Sequence, residues 1–211
     1  MAVPQFSVAM IRKHLKRAYR AALDRPQERR LGIDTALVTP GLSNIEAQIQ
    51  GHMGTPYRAL GAVRRHMDAN GIAVPRFVDA GCGLGRPLYY FADRFEDVQG
   101  FEIVMSLHKA AQEQLDAVRA TNPAYARIAI HQTDATVGLP IDRPMVLFLY
   151  NPFGPKPMAR LCERLAEARH EVHLYYVLPM LAEQVAKALG RPPDATFRAA
   201  HDIQYYRIEP A

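Results

Sequence analysis

The 211-residue chain contains no tryptophan and only two cysteines, Cys82 and Cys162. So few thiols suggest no disulfide framework, which predicts a reducing, cytoplasmic setting. No Cys–His spacing suits zinc, so no metal site is expected. No apolar run approaches the ~20 residues needed to cross a bilayer, although hydrophobic residues make up 49% of the chain. That share suffices for a substantial core, and the length suits one large domain or one domain with additions. Repeats and low-complexity tracts are missing. Acids are scarce at the start: residues 1–40 hold eight Lys/Arg against three Asp/Glu, whereas residues 41–211 hold 18 of each. The whole net charge of +5 therefore lies in the first segment. An enzyme acting on nucleic acid would more naturally spread its charge around the active-site mouth.

From Val74 onward, strand and helix patterns alternate. Strands are predicted at 75–80, 98–103, 126–132, 145–150 and 172–178, and helices at 86–94, 105–120, 157–169 and 180–189. Two further strands, Ala195–Ala200 and Ile203–Ile208, flank a turn at His201-Asp202. The expected fold is α/β: a doubly wound, mostly parallel seven-stranded sheet closed by a C-terminal antiparallel hairpin, with an N-terminal helical extension. In that extension Phe6–Leu23 is amphipathic, with Val8, Ile11 and Leu15 on one face and Arg12, Lys13, Lys16, Arg17 and Arg20 on the other. It reads as a helix packed on the domain or closing over a site, with a phosphate-binding arm or membrane-surface helix as alternatives. Residues 24–56 carry many turn formers and are expected to loop, with one short helix near Asn44–Gln50. A helix over Tyr57–Met67 then begins the main domain, giving residues 1–56 as the extension and 57–211 as the domain proper.

The most informative stretch is Phe77-Val78-Asp79-Ala80-Gly81-Cys82-Gly83-Leu84-Gly85-Arg86. A short apolar strand ends in an acid and enters a loop with glycine at every second position. A helix follows. Bare glycines let a ligand lie against the backbone, and the helix start offers N–H groups. A dinucleotide would place anionic pyrophosphate beside Asp79, and its fingerprint needs a glycine where Arg86 stands. A ligand carrying positive charge suits the acid better. A tight strand–helix turn with no ligand is the alternative. Cys82 serves as a small residue of the loop rather than a nucleophile.

Asp79-x-Gly81-x-Gly83-x-Gly85 resembles the first motif of the class I S-adenosylmethionine-dependent methyltransferases. The resemblance spans residues 57–208 and implies S-adenosyl-L-methionine as cofactor, with its sulfonium and ammonium near Asp79 and S-adenosyl-L-homocysteine as product. Glu102, closing the second strand, matches the family's ribose-binding acid. Asp134-Ala135, followed by Leu139-Pro140, matches the segment that meets adenine, with a loop-capping Asp as the alternative. Asn151-Pro152-Phe153 after Tyr150 is similar to a shortened Asn-Pro-Pro-aromatic motif of amino-group methyltransferases. In those enzymes the Asn oxygen and the next carbonyl orient a planar amine, and Phe153 would stack on substrate or sulfonium. Here one proline is missing and Gly154 follows the aromatic, so the acceptor class stays open. Tyr57 or Arg86 would close over the methionine carboxylate.

The resemblance thus implies methyl transfer to a nitrogen acceptor. A protein amine or small molecule is favoured over nucleic acid, and the chain would act as a monomer or homodimer. A module that binds cofactor without transfer, a nucleotide-dependent oxidoreductase and a nucleic-acid methyltransferase using the basic N-terminal helix are the rivals.

Overall fold

The computed structural model describes residues 22–35 and 54–211. Residues 22–31 form helix α1. There follow α2 (Tyr57–Ala69), β1 (Arg76–Ala80), α3 (Arg86–Phe91), β2 (Asp97–Phe101) and α4 (Met105–Val118). Two short 3-10 turns lead to β3 (Ile128–His131), α5 (Ala135–Gly138), β4 (Met145–Tyr150), α6 (Pro155–Ala166) and β5 (Val172–Val177). The chain closes with α7 (Ala182–Ala188), β6 (Ala195–Arg198) and β7 (Asp202–Ile208).

The strands form one seven-stranded sheet in the order β3-β2-β1-β4-β5-β7-β6. β1 pairs in parallel with β2 and β4, β2 with β3, and β4 with β5. The β6–β7 hairpin is antiparallel and docks on β5, with Val177 opposite Ile203. All five residues of β1 and all six of β5 are buried, as expected for parallel strands covered on both faces. One apolar layer joins α2, α3 and α4 to the sheet and a second joins α5, α6 and α7 to the other face. Phe77 anchors the first layer, with its ring centroid 4.7 Å from Phe91, 5.4 Å from Phe95 and 6.0 Å from Phe148.

Chain order reverses between β1 and β4, so the loops leaving these neighbours part to opposite faces and open a crevice at their carboxyl ends. The β6–β7 turn comes to this same edge, because β7 starts beside the end of β5.

Residues 24–31, expected to loop, are helical. Gly32, with φ +69°, ends α1: its N–H reaches the Arg29 carbonyl and the Ile33 N–H reaches the Glu28 carbonyl, while Ile33 is buried. This is the Schellman pattern of helix termination. Asp24 and Pro26 suggest a turn locally, but Arg86, far along the chain, pairs with Asp24 and Glu28 and holds the segment helical. The Tyr125 hydroxyl donates to the Leu31 carbonyl at 2.8 Å, further docking α1. Most of the amphipathic Phe6–Leu23 stretch and all of Asn44–Gln50 lie outside the described residues.

Candidate active site

The loop after β1 turns through three left-handed glycines, Gly81 (φ +81°), Gly83 (φ +54°) and Gly85 (φ +79°). The N–H groups of Gly81 and Cys82 donate to the Phe101 carbonyl at 2.8 and 3.0 Å, tying the loop to the end of β2. Gly81 has a second reason to be bare: a Cβ there would lie 2.4 Å from the Cβ of Pro152, in the loop after β4. The two motifs that the sequence separates by 70 residues are therefore in contact.

Two carboxylates face the crevice beside this loop. Asp79 is 2% exposed. No donor among the described residues reaches its carboxylate, and burial, then the charge of Glu102, hold its carboxyl well above the usual range. Glu102 lies just beyond β2, its two oxygens accepting the N–H groups of Gly83 at 2.9 Å and Val104 at 2.8 Å. Burial raises its carboxyl, and these backbone donors oppose the rise. Burial and both acids push the Cys82 thiol well up. It is therefore a protonated, inert thiol.

On the β3 side Asp134 caps α5, its Oδ1 accepting from the Thr136 N–H at 2.8 Å and hydroxyl at 2.7 Å. Its other oxygen meets Arg160 at 3.2 Å. The capping alternative thus describes what its carboxylate does, while Asp134 and Ala135 still line the crevice. α5 itself is a turn of helix that the sequence pattern does not announce.

The end of β4 supplies Tyr150, Asn151, Pro152 and Phe153. Asn151 is buried with φ +45°, a backbone state that asparagine tolerates better than most residues. The Tyr176 hydroxyl on β5 accepts the Leu181 N–H at 3.2 Å and donates to Asn151 Oδ1 at 3.1 Å. The Tyr176 hydroxyl thus links the Leu181 N–H to the Asn151 amide, which it holds by Oδ1. The Tyr150 hydroxyl lies 3.1 Å from His201 Nε2, in the β6–β7 turn.

These groups line a crevice of about 310 Å³, the lower end of the range for small-molecule sites. Tyr57 and Gly85 are not among its lining residues. Tyr57 instead donates to Glu28 at 3.1 Å and lies under the Arg86 guanidinium at 4.9 Å. Burial and the Glu28 charge raise its phenol. Arg86 lines the crevice, but it donates to Asp24 (2.7 Å), Thr35 (2.7 Å) and the Thr55 carbonyl (2.9 Å) and pairs with Glu28 at 3.0 Å. Glu28 also accepts the Thr35 N–H at 2.6 Å and hydroxyl at 2.5 Å. Arg86 and Tyr57 thus fasten α1 and Thr35 at the crevice wall. Sequence reasoning missed Asp24, Glu28, Thr35, Leu178 and His201, and only the left-handed φ of Leu178 (+53°) marks any of them as unusual backbone.

Comparison with known proteins gives no matching family profile and no curated protein matching in sequence. Solved structures do match. An RNA methyltransferase from Salinibacter ruber, crystallised with S-adenosyl-L-homocysteine, superposes with a TM-score of 0.51 at 18% identity, over 74% of this chain and 94% of that one. A Pyrococcus horikoshii protein, itself only proposed to be an RNA methyltransferase, gives 0.57 at 11% identity over 90% and 99%. An S-adenosylmethionine-dependent O-methyltransferase from Thermotoga maritima gives 0.53 at 15% identity over 77% and 68%. The chain has the fold of the class I S-adenosylmethionine-dependent methyltransferases.

Proposed function

We propose that the protein is an S-adenosylmethionine-dependent methyltransferase acting on a nitrogen acceptor at Asn151-Pro152-Phe153. The observation that carries this reading is Asp79: a carboxylate buried beside a bare backbone turn, with no donor among the described residues. A buried acid left in this state favours a ligand that brings its own positive charge. The residues present fit the cofactor. Asp79 would hold its ammonium, Gly81, Cys82 and Gly83 its methionine portion, Glu102 the ribose hydroxyls, and Asp134 and Ala135 the adenine. Arg86 and Tyr57 would act indirectly, by fixing the segment that walls the site. When bound, the cofactor supplies a methyl group already activated on sulfur, so the protein needs chiefly to align the acceptor. Such alignment can contribute ~7–11 kcal/mol. Asn151 Oδ1 and the neighbouring carbonyl would accept the N–H bonds of a neutral amine, and Tyr176 fixes the amide that does so.

Calorimetric titration with S-adenosylmethionine and S-adenosylhomocysteine tests the cofactor, and absence of binding by both refutes it. Incubation with labelled cofactor and fractionated lysate identifies the acceptor class. Asn151→Ala should cut label transfer about a hundredfold while leaving S-adenosylhomocysteine affinity nearly intact. Transfer at the wild-type rate would refute the role of Asn151.

RNA is the second reading for the acceptor, favoured by the likeness to the Salinibacter ruber enzyme. It predicts RNA binding that weakens steeply with salt. That binding should be lost on neutralising Arg12, Lys13, Lys16, Arg17 and Arg20.

A further inference from the structure

We propose that His201, acting through Tyr150, receives the proton that the methyl acceptor sheds, an inference that rests on the methyl-transfer reading above. The fold brings the two together across 51 residues of chain. Tyr150 ends β4 beside Asn151 and lines the crevice. His201 sits in the β6–β7 turn, which the antiparallel pairing with β5 delivers to the carboxyl edge of the sheet. The Leu178 N–H holds that turn in place by donating to the Asp202 carbonyl at 2.9 Å. Tyr150 Oη and His201 Nε2 are 3.1 Å apart, with ring centroids 5.7 Å apart and planes inclined by 42°.

The acceptor's chemistry gives such a pair a use. As the nitrogen lone pair forms the N–C bond, the C–S bond breaks and its electron pair stays on sulfur. The nitrogen is left cationic with one proton too many. Asn151 is an amide and cannot take it, and the Asp134 carboxylate is engaged by Thr136 and Arg160. Asp79, near the carboxyl end of β1, and Glu102, just past β2, stand on the cofactor side. Tyr150 can accept the proton on Oη while passing its own to Nε2 of a histidine that carries its proton on Nδ1. The half-buried imidazolium then releases the proton to water. Around His201, among the described residues, Tyr150 comes from β4. The ion-paired Arg198 and Asp202 (3.5 Å) flank it in the hairpin, and the end of β5 contributes the apolar Val177 and Leu178. Tyr150 is the group that meets the acceptor, and His201 is the positioning partner that sets its protonation.

The test uses the full chain as wild type, Tyr150→Phe, His201→Gln and His201→Ala. Imidazole 1H–15N spectra should show His201 Nε2 as an acceptor in the wild type and lose that signature in Tyr150→Phe, and all four should bind S-adenosylhomocysteine alike. Label transfer from labelled cofactor into fractionated lysate should fall about tenfold or more at neutral pH in His201→Gln. The acidic limb of its pH profile should disappear, and added imidazole should restore His201→Ala. A wild-type rate and pH profile in His201→Gln overturns the proposal and leaves methyl transfer standing. So does a loss in His201→Ala that imidazole does not restore, or one that tracks lost S-adenosylhomocysteine affinity. A wild type that transfers no label at any pH overturns the methyl-transfer reading, and this proposal with it.

Discussion

Replacing Gly81 with alanine should injure the protein twice, and the two injuries are separable. Gly81 has φ +81°, and an alanine held there costs about 1–2 kcal/mol in backbone strain. Its Cβ would also lie 2.4 Å from Pro152 Cβ. Neither atom belongs to a flexible side-chain end, so backbone must move, at an overpacking cost of about 1–3 kcal/mol. The sum is about 2–5 kcal/mol, or roughly 5–15 °C in Tm for a chain of this size. Pro152→Gly removes the opposing Cβ and should recover the packing part alone. Urea unfolding of the wild type, both single variants and the double variant, followed by circular dichroism, gives the coupling energy. We expect about 1–3 kcal/mol, with the double variant more stable than the sum of the single effects predicts. Effects that add to within about 0.5 kcal/mol would refute the contact between the glycine loop and the β4 motif.

Asp79→Asn should stabilise the ligand-free protein while weakening cofactor binding. The raised carboxyl of Asp79 means that the folded state binds a proton more tightly than the unfolded chain. Its penalty is therefore absent below the unfolded Asp pKa, grows as pH rises toward the folded value and stays constant above it. Thermal scans from pH 4 to 8 should show wild type losing ground to Asp79→Asn as pH rises, and parallel curves would refute the assignment. Calorimetry should show S-adenosylmethionine bound at least about tenfold more weakly by the variant. Glu28→Gln should cost about 2–4 kcal/mol, because a buried partner of Arg86 is lost while Asp24 remains. Hydrogen exchange should then quicken over residues 22–35, and an unchanged Tm would show that the Arg86 cluster is not what holds α1. Tyr176→Phe should destabilise by about 1 kcal/mol and slow label transfer without changing S-adenosylhomocysteine affinity. A wild-type rate would show that Asn151 needs no such support.

Local pattern carried the architecture far. The Val/Leu/Phe run of β4, the spaced glycines after β1 and the turn at His201-Asp202 each announce themselves within a few residues. Strand positions, sheet winding and the C-terminal hairpin were therefore legible from sequence alone. So were the positions of Asp79, Glu102 and Asn151, since the ends of parallel strands gather at one edge of the sheet. Tertiary structure decided what these groups touch. Arg86 looks like a lone cation beside a glycine loop, yet its partners lie 51 and 62 residues away, at Thr35 and Asp24. Tyr57 turns from the crevice to Glu28, Asp134 is drawn into capping α5, and Gly81 makes room for Pro152 as well as for a ligand. His201 meets Tyr150 across 51 residues because an antiparallel hairpin ends where the parallel strands do. Periodicity and turn chemistry are written in neighbouring residues, whereas an ion pair or a packing contact depends on two distant side chains meeting, which only the folded sheet brings about.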